Sequence, residues 1–405
     1  MKKIPGIFFL VMLLLCIPTV TALDRTDDIP RWGPYVTADD AHTVTIHYRL
    51  WEEGPGAAEL TANNTTIRIA APSALHHHLT LTNLTPDTVY QYRVLVQNSW
   101  SESYQFRTFG AETYSFVISG DTRSEPPFTQ KDRHGIVAAA ILTENPLFVV
   151  HLGDFCGDAR DLNEWDLFFD AGRNLYANTI IVPVQGNHDE GPLYSEIFGK
   201  PDWYAFSAGN LTCLVLNTNG WTATRFDNQT TWLTGQLAQP GTKIALFHHP
   251  FYTTDQKRSG LSTDRKEIWQ NLFSANHVPA AYSAHMHAYE RYCAGNVAYV
   301  TNGAGGAPLY PPERESEIEP VSAVYHTLGY VRVTVSGDRF VSTFLLLAKA
   351  SDDNSILTTS YPPDTYGDLF DSADPGVAAA PMPTTAPAGL FWIPIAGCIL
   401  YWRKL

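Results

Sequence analysis

The stretch FVVHLGD, residues 148–154, is the most informative part of this chain. Its first five residues form a short apolar run that is typical of a strand buried on both faces. The run ends directly in Gly153 and Asp154, and a glycine lets the backbone turn sharply at that point. The stretch therefore predicts a buried strand that presents a carboxylate on the loop at its carboxyl end.

Four further polar segments repeat this arrangement along the chain. They are GDTR (120–123), GNHD (186–189), HHP (248–250) and HMH (285–287). Apolar runs at 115–118, 148–152, 180–184, 211–216 and 244–247 alternate with helix-like segments such as 134–143 and 160–174. This alternation predicts an α/β layered domain. We expect the polar segments at the carboxyl ends of its strands, where open α/β folds bind ligands.

The donor side chains of these segments suit a pair of metal ions. Their order is Asp, Asp, Asn, His and His-x-His, which supplies enough oxygen and imidazole donors for two ions that share one carboxylate. Two ions about 3.5–4 Å apart can stabilise both the attacking and the leaving oxygen of a phosphoryl transfer. Such donors suit Fe, Zn or Mn, and the sequence contains no thiolate cluster. A single Gly-Asp pair is also an ordinary turn, so the prediction depends on the whole ordered set.

Residues 32–109 show a different pattern, because polar and apolar residues alternate at 43–48, 66–69 and 90–94. The stretch LTPDTVY (84–90) resembles the Leu-x-Pro-x-Thr-x-Tyr signature of fibronectin type III domains, in which the tyrosine makes a corner hydrogen bond. We therefore predict an N-terminal all-β sandwich over residues 31–110. The triplet HHH at 76–78 is predicted to lie on a solvated strand edge, since neighbouring strand residues face opposite sides; a metal site is the alternative.

A longer stretch resembles a known family. AHMHAYER (284–291) is similar to the Gly-His-x-His-Ala-Tyr-Glu-Arg motif of the calcineurin-like metallophosphoesterase superfamily, and NGAGG (302–306) and GYVRV (329–333) also fit. Within that superfamily the chain is most similar to purple acid phosphatases, which carry an N-terminal fibronectin-like domain. The resemblance covers residues 31–347. It implies that residues 112–347 form an α/β metallophosphoesterase domain, a four-layer β-sandwich flanked by helices.

The resemblance assigns a metal-binding role to six residues. The first metal would be bound by Asp121 and His287, the second by Asn187, His248 and His285, and Asp154 would bridge the two. The family's liganding histidine lies two residues before a proline, which selects His248 over His249.

The resemblance also implies how substrate is handled. His188 would lie beside the metals as a proton donor or phosphate contact. From the chemistry of the site we further expect the metals, with Arg123 or His188, to stabilise the phosphoryl oxygens. The alternatives are a structural hydrogen bond from His188 to Asp189 and a surface salt bridge for Arg123. Glu290 and Arg291 are predicted to have structural roles.

Two positions depart from the family pattern. The purple enzymes have Gly-Asp-x-x-Tyr, in which the tyrosine binds Fe(III) and produces the colour, whereas this chain has Gly157 at that place. We therefore expect neither the colour nor a firm preference for Fe(III); replacement of the ligand by Cys156 or Asp158 is the weaker alternative. The second departure is Ala284 in place of glycine, which need not disturb the flanking histidines.

These observations predict a dinuclear metal-dependent phosphoesterase that hydrolyses phosphate monoesters by attack of a metal-bound hydroxide. A phosphodiesterase or nucleotidase using the same site is the alternative, as is a surface-tethered binding protein with no catalytic function. Trp203, Trp221 and Tyr252 are candidates for stacking on an aromatic leaving group, with packing as the alternative. The net charge of −14 argues against nucleic acid as a partner. A small phosphoester is the expected substrate, and the sequence leaves the oligomeric state open.

The two ends of the chain predict export. Residues 1–22 have the charged start, apolar centre and small-residue cleavage site of a signal peptide, and five sequons follow. At most one internal disulfide is expected from Cys156, Cys213 and Cys293. Residues 351–388 are predicted as a linker rich in Pro, Ala and Thr, and residues 389–405 as a hydrophobic tail. The tail is predicted as a membrane tether or a processed sorting tail, with packing on the domain as the alternative. The expected location is extracytoplasmic, either secreted or tethered to the cell surface.

Overall fold

The computed structural model describes residues 28–220, 222–255, 258, 263–313 and 316–373. The predicted signal peptide, the hydrophobic tail and Trp221 lie outside the described residues. Within them, no helix is both long enough and apolar enough to cross a membrane.

The described residues form nineteen strands and five α-helices. The strands are β1 (Trp32–Ala38), β2 (Val44–Ala62), β3 (Thr65–Leu81), β4 (Val89–Val96), β5 (Ser99–Trp100), β6 (Tyr104–Arg107), β7 (Thr113–Ser119), β8 (Phe148–His151), β9 (Ile180–Pro183), β10 (Tyr204–Ala208), β11 (Leu211–Val215), β12 (Thr242–Leu246), β13 (Ala280–Ser283), β14 (Tyr289–Ala294), β15 (Val297–Asn302), β16 (Ser322–Val324), β17 (Thr327–Ser336), β18 (Arg339–Ala350) and β19 (Ile356–Asp371). The helices are α1 (Gln130–Thr143), α2 (Leu162–Asn178), α3 (Pro192–Phe198), α4 (Ala223–Leu237) and α5 (Thr263–Ala275), and Asn187–Asp189 form a short 3₁₀ turn.

Strands β1 to β6 build the predicted N-terminal sandwich. The long antiparallel strands β2 and β3 shift register between Arg49 and Gly56, so β2 pairs with β1 near its start and with β4 near its end. Their inward side chains form an apolar core that includes several tyrosines. The predicted corner hydrogen bond is present, since the Thr85 amide donates to the Tyr90 hydroxyl at 2.9 Å. This domain therefore confirms the all-β prediction.

The second domain has four layers. Strands β7, β8 and β9 belong to one sheet and β11, β12 and β13 to another, and their facing apolar side chains share one core. Helices α1 and α2 cover the outer face of the first sheet, and α4 and α5 cover the second. The strands are apolar on both faces because each sheet is buried on both sides. The predicted fold class is confirmed.

The sandwich continues the first sheet of the second domain. Strand β1 runs parallel to β9 through the pair Val36 and Ile180. Helix α2 holds the junction, because the Tyr92 hydroxyl donates to the Ala177 carbonyl at 2.7 Å and Arg31 forms an ion pair with Asp166 at 2.7 Å. The N-terminal domain is thereby fixed to the sheet that carries three of the polar loops.

Two predictions from the sequence are wrong. Residues 351–388 do not form a linker throughout, because β19 pairs with β18 along the edge of the first sheet. An edge strand tolerates proline, so its composition resembled that of a linker. The histidine triplet is not a simple solvated edge either, since His77 is buried and the side chain of His76 is 5% exposed. Cys156 and Cys213 are buried thiols that form no disulfide.

Candidate metal centre

Three loops of the first sheet bring carboxylate and amide donors to one edge. Asp121 follows β7, Asp154 follows β8, and Asn187 follows β9. The loops are bonded to one another, because the Asp121 amide donates to the Gly153 carbonyl at 2.9 Å. A Cβ at Gly153 would lie 2.5 Å from the Gly186 nitrogen, and its φ of +98° favours glycine. The close approach of these two loops therefore requires the glycine that precedes Asp154.

Two loops of the second sheet bring histidines to the same place. His248 follows β12, while His285 and His287 follow β13. The Ala284 amide donates to the His248 carbonyl at 2.9 Å and ties these loops together. Asp121, Asp154 and His285 all have positive φ, at 55°, 55° and 66°. Non-glycine residues in this region carry strain, which is concentrated at functional sites.

One group of donor atoms surrounds His248. Its Nε2 lies 3.1 Å from Asn187 Oδ1, 3.1 Å from His285 Nδ1 and 3.4 Å from Asp154 Oδ1. His248 Nδ1 donates to the Leu152 carbonyl at 2.8 Å, so Nε2 is the ring nitrogen that could bind an ion. Ligand atoms of one ion, each about 2.0–2.2 Å from it, have separations of this size.

The neighbouring His249 belongs to the same cluster of nitrogens as His248 and His285. Its Nδ1, however, lies 3.0 Å from the Thr218 hydroxyl. The structure thus places His248, and not His249, against Asn187 and Asp154.

A second group of donor atoms comprises Asp121, Asp154 and His287, whose potential ligand atoms all lie within 4.8 Å of one another. His287 Nε2 is 3.3 Å from Asp121 Oδ1, and His287 Nδ1 donates to the Pro308 carbonyl. Asp121 Oδ1 is buried and accepts no hydrogen bond within the described part of the chain. A buried carboxylate oxygen without a donor is the expected signature of a cation ligand. Asp154 stands between the two groups.

The charges at the site also fit metal binding. Burial raises the pKa of Asp121 to about 7, because the pocket disfavours an isolated negative charge. Burial and the adjacent His248 lower the pKa of His285, and burial together with Arg123 lowers that of His287 to about 3. His285 and His287 are therefore neutral and able to act as ligands, while bound cations would stabilise the ionised carboxylates.

Asp189 organises the loops without belonging to either group of donors. Its buried carboxylate accepts backbone N–H bonds from Asp154 at 2.7 Å, Phe155 at 2.9 Å and Gly186 at 2.8 Å. It therefore joins the loop of Asp154 to the loop of Asn187. The sequence analysis recognised Asp189 only as part of the GNHD segment and as a partner for His188.

His188 lies beside the donors with one nitrogen directed to them. Its Nδ1 donates to the Gly157 carbonyl at 2.7 Å, and its Nε2 is 4.0 Å from Asp154 Oδ2. The alternative hydrogen bond to Asp189 is not formed, because the Asp189 oxygens accept backbone amides. The side chain of His188 is 34% exposed, so part of its ring is accessible from solvent.

The position of the family's tyrosine ligand is occupied by Gly157, and neither weaker substitute enters the donor groups. Asp158 forms an ion pair with Arg160 at 2.7 Å, and Cys156 is buried with a pKa raised by burial. Gly157 instead serves His188 through its carbonyl oxygen.

Arg123 lies on the loop after Asp121, and its side chain is only 10% exposed. Its guanidinium donates to Glu125 at 2.7 Å and to the Tyr310 hydroxyl at 2.9 Å. The Tyr310 ring stacks on His287 at 4.1 Å, and the guanidinium of Arg258 lies over the Tyr310 ring at 3.7 Å. Tyr310 and Arg258 were missed by the sequence analysis because neither lies in one of the five segments.

Tyr252, which was a candidate for stacking on the substrate, and Glu290 both have structural contacts. Tyr252 packs against Tyr292 and Tyr299 in the core beneath α4 and α5. Glu290 is buried, and it accepts hydrogen bonds from the backbone and hydroxyl of Thr254 and from the Tyr292 hydroxyl. These contacts agree with the structural role that was predicted for Glu290.

Two parts of the chain match families of known proteins. Residues 33–108 match the purple acid phosphatase N-terminal domain, and residues 116–289 match the calcineurin-like phosphoesterase family. Purple acid phosphatase 13 of Arabidopsis thaliana is 25% identical over 309 residues, which cover 58% of this chain and 55% of that protein. The chain spans about half the length of the curated relatives it matches.

Two solved structures share the fold. The purple acid phosphatase PPD1 from yellow lupin (Lupinus luteus) seeds aligns with a TM-score of 0.65 at 18% identity, over 89% of this chain and 79% of its own. A structure of PhoD aligns with a TM-score of 0.69 at 12% identity, over 91% of this chain and 95% of its own. Residues 116–289 thus form a domain of the calcineurin-like phosphoesterase family, and residues 33–108 before it match the N-terminal domain of the purple acid phosphatases.

Proposed function

We propose that this chain is a metal-dependent phosphoesterase that hydrolyses phosphate monoesters. One observation carries the proposal: six donor side chains from five separate loops converge at one edge of two sheets. The lone pairs of His248 and His287 are directed toward Asp154 and Asp121 by hydrogen bonds on the opposite side of each ring. Membership of the phosphoesterase family supports the same reaction class.

Six residues of this chain would hold two ions. Asp121 and His287 would bind one, and Asp154 would be shared; the other would be bound by Asn187, His248 and His285. When bound, two such cations supply Lewis-acid charge that activates water and neutralises phosphoryl oxygens. The donor set suits Fe, Zn or Mn. Because Gly157 provides no phenol, we expect no firm preference for Fe(III).

His188 is the residue that we propose to handle a proton. In the hydrolysis, the oxygen of water bonds to phosphorus as the ester P–O bond breaks, and the leaving oxygen then needs a proton. The bond from His188 Nδ1 to Gly157 fixes the ring, which leaves Nε2 as the atom that can carry this proton. A positioned acid of this kind typically accelerates a reaction about 10²–10⁴-fold.

Arg123 is the proposed contact for the phosphoryl group. Its guanidinium is largely buried close to Asp121 and is oriented by Glu125 and Tyr310. A guanidinium held in this way can donate to two phosphoryl oxygens without reorganising during the reaction. These contacts favour a small ester whose phosphoryl group enters this pocket, and we propose no role for nucleic acid.

We further propose that the protein acts outside the cytoplasm, in a secreted form or tethered by its C-terminal tail. The signal-like residues 1–22 support export. The sequon asparagines are all solvent-exposed, as glycosylation would require; they are Asn63, Asn64, Asn83, Asn210 and Asn228.

Two variants of the full chain test the proposed activity. His248→Ala and Asp154→Asn should lower phosphate release from a chromogenic monoester more than about 100-fold, because loss of a ligand costs more than loss of an outer-shell partner. His277→Ala, which changes an exposed histidine after α5, is the matched control. Circular dichroism establishes that each variant is folded. Undiminished turnover by the metal-loaded variants would contradict the assignment, and a parallel phosphodiester assay tests the alternative substrate class.

A further inference from the structure

Arg258 occupies a defined place beside the donor groups. Its guanidinium carbon lies 3.7 Å from the centre of the Tyr310 ring, and Tyr310 stacks on His287 at 4.1 Å with an angle of 18° between the rings. Two planar groups at these distances must use opposite faces of the Tyr310 ring. The three groups therefore form a stack in the order His287, Tyr310, Arg258.

A buried framework fixes the orientation of Arg258. Glu290, which follows the histidine loop directly, accepts hydrogen bonds from the backbone and hydroxyl of Thr254. The next residue, Asp255, is 3% exposed, and its carboxylate accepts the Nε–H of Arg258 at 3.0 Å. A buried carboxylate strongly favours a charged donor at such a distance. Arg258 is thus held, through Asp255 and Thr254, by Glu290 of β14, the strand that begins directly after the loop of His285 and His287.

Arg123 and Tyr310 complete a wall of donors. The Tyr310 hydroxyl accepts a hydrogen bond from Arg123 at 2.9 Å, so its own proton can be donated to another group. Arg123, Tyr310 and Arg258 together place two guanidinium groups and one hydroxyl along one side of the site. We refer to these three residues as the arginine wall. Such a wall is notable in a chain whose net charge is −14.

We infer that Arg258, at the outer end of the arginine wall, binds a second anionic group of the substrate, adjacent to the transferred phosphoryl group that Arg123 contacts. The chemical class is a phosphate ester that carries a diphosphate or longer polyphosphate chain. The oxygen of water would bond to the terminal phosphorus as the phosphoanhydride P–O bond breaks, and the shortened phosphate chain would leave with the electron pair of that bond. The Tyr310 ring separates Arg258 from His287, so we place at Arg258 the anionic group next to the reacting phosphoryl and not that phosphoryl itself. Guanidinium groups suit this task, because their planar donors match pairs of phosphate oxygens. The inference rests on the proposed phosphoesterase function.

Paired substrates test the inference. The full-length, metal-loaded chain is assayed for phosphate release from a nucleoside 5′-diphosphate and from the 5′-monophosphate of the same nucleoside. Arg258→Ala should lower kcat/KM for the diphosphate about 10–100-fold and change kcat/KM for the monophosphate less than about threefold. Arg107→Ala is the matched control, since Arg107 pairs with Asp87 on the exposed surface of the N-terminal domain. Equal effects of Arg258→Ala on both substrates would overturn the inference.

A second variant and a binding measurement keep the test decisive. Arg258→Ala removes a charged donor from the buried Asp255 carboxylate, so Asp255→Asn/Arg258→Ala is examined as well, and it should show the same selectivity. Calorimetry then compares the binding affinity of methylenediphosphonate with that of methylphosphonate. Neither compound has to be hydrolysed for its binding to be measured. Tighter binding of the diphosphonate by wild type, lost in the double variant, supports the wall even if no ester is turned over. In that outcome the proposed phosphoesterase function is wrong, while the inferred binding of a second anionic group by the arginine wall is supported. Equal binding of both phosphonates by wild type would contradict the inferred binding.

Discussion

Replacing Asp189 by asparagine should loosen two loops of the metal centre without removing a metal ligand. The Asp189 carboxylate accepts N–H bonds from Asp154 and Gly186 on Oδ2 and from Phe155 on Oδ1. Asparagine has one acceptor oxygen, so its NH₂ group must face at least one of these donors. If the asparagine oxygen takes the place of Oδ2, the bonds from the Asp154 and Gly186 amides are kept and the bond from the Phe155 amide is lost.

The expected loss follows from these bonds. A hydrogen bond to a charged group contributes about 1.5–3 kcal/mol, and a buried donor left without a partner costs about 1–3 kcal/mol. The substitution at Asp189 removes one such bond and turns two others into neutral bonds, so we expect the free energy of unfolding to fall by about 4 kcal/mol. Because the affected loops carry Asp154 and Asn187, metal affinity should fall about 10–100-fold, as for other outer-shell changes.

Two measurements on the full chain separate these effects. Urea unfolding of chelator-treated protein gives the loss of stability without metal, and a Zn²⁺ titration against a competing chelator gives the affinity. Asp87→Asn is the matched control, because Asp87 pairs with Arg107 on the surface and should change stability by less than about 1 kcal/mol. If Asp189→Asn matched wild type in both urea midpoint and metal affinity, the organising role of Asp189 would be refuted.

Three more predictions concern colour, pH and backbone geometry. Iron-loaded protein should lack an intense phenolate-to-iron band in visible absorption, because Gly157 replaces the family's tyrosine; such a band would show that another phenol binds the metal. Burial lowers the pKa of His134 to about 4, so between about pH 6.5 and pH 4 only the unfolded state binds the proton. The free energy of unfolding should therefore fall by up to about 3 kcal/mol as the pH is lowered through this range. His134→Phe/Tyr176→Phe, which removes a bonded pair, should flatten this loss in thermal melts, and an unchanged slope would contradict the assignment. Gly153→Ala should cost about 3 kcal/mol or more and release metal, whereas Gly199→Ala, also at positive φ but in open space, should cost about 1 kcal/mol; equal costs in urea unfolding would argue against the close loop contact.

Much of the layered fold could be predicted because its signals are local. A buried strand such as β8 needs apolar side chains on both faces, and the polar residue that follows must lie on a loop. Parallel strands place such loops at one edge, which is why Asp121, Asp154 and Asn187 could be expected to meet. The corner of the N-terminal sandwich was predictable for the same reason, since Thr85 and Tyr90 are five residues apart.

The rest depends on contacts between distant parts of the chain. Tyr310 meets His287 and Arg123 across long sequence separations, and no local pattern marks it as a neighbour of the site. Arg258 is recognisable only once Asp255 and Tyr310 are seen around it. Strand β19 was missed because an exposed edge strand lacks a clear apolar alternation and tolerates proline. Local chemistry thus predicted the donors of the centre, but not the wall beside them.

The most direct test of the central claim is the metal content of the full chain, measured together with turnover. The protein is stripped with a chelator, reloaded with Fe, Zn or Mn, and analysed by mass spectrometry for ions bound per chain while monoester hydrolysis is followed. The account predicts two ions per chain, loss of hydrolysis on chelation and recovery on reloading. A chain that binds no metal after reloading and hydrolyses no ester would contradict it.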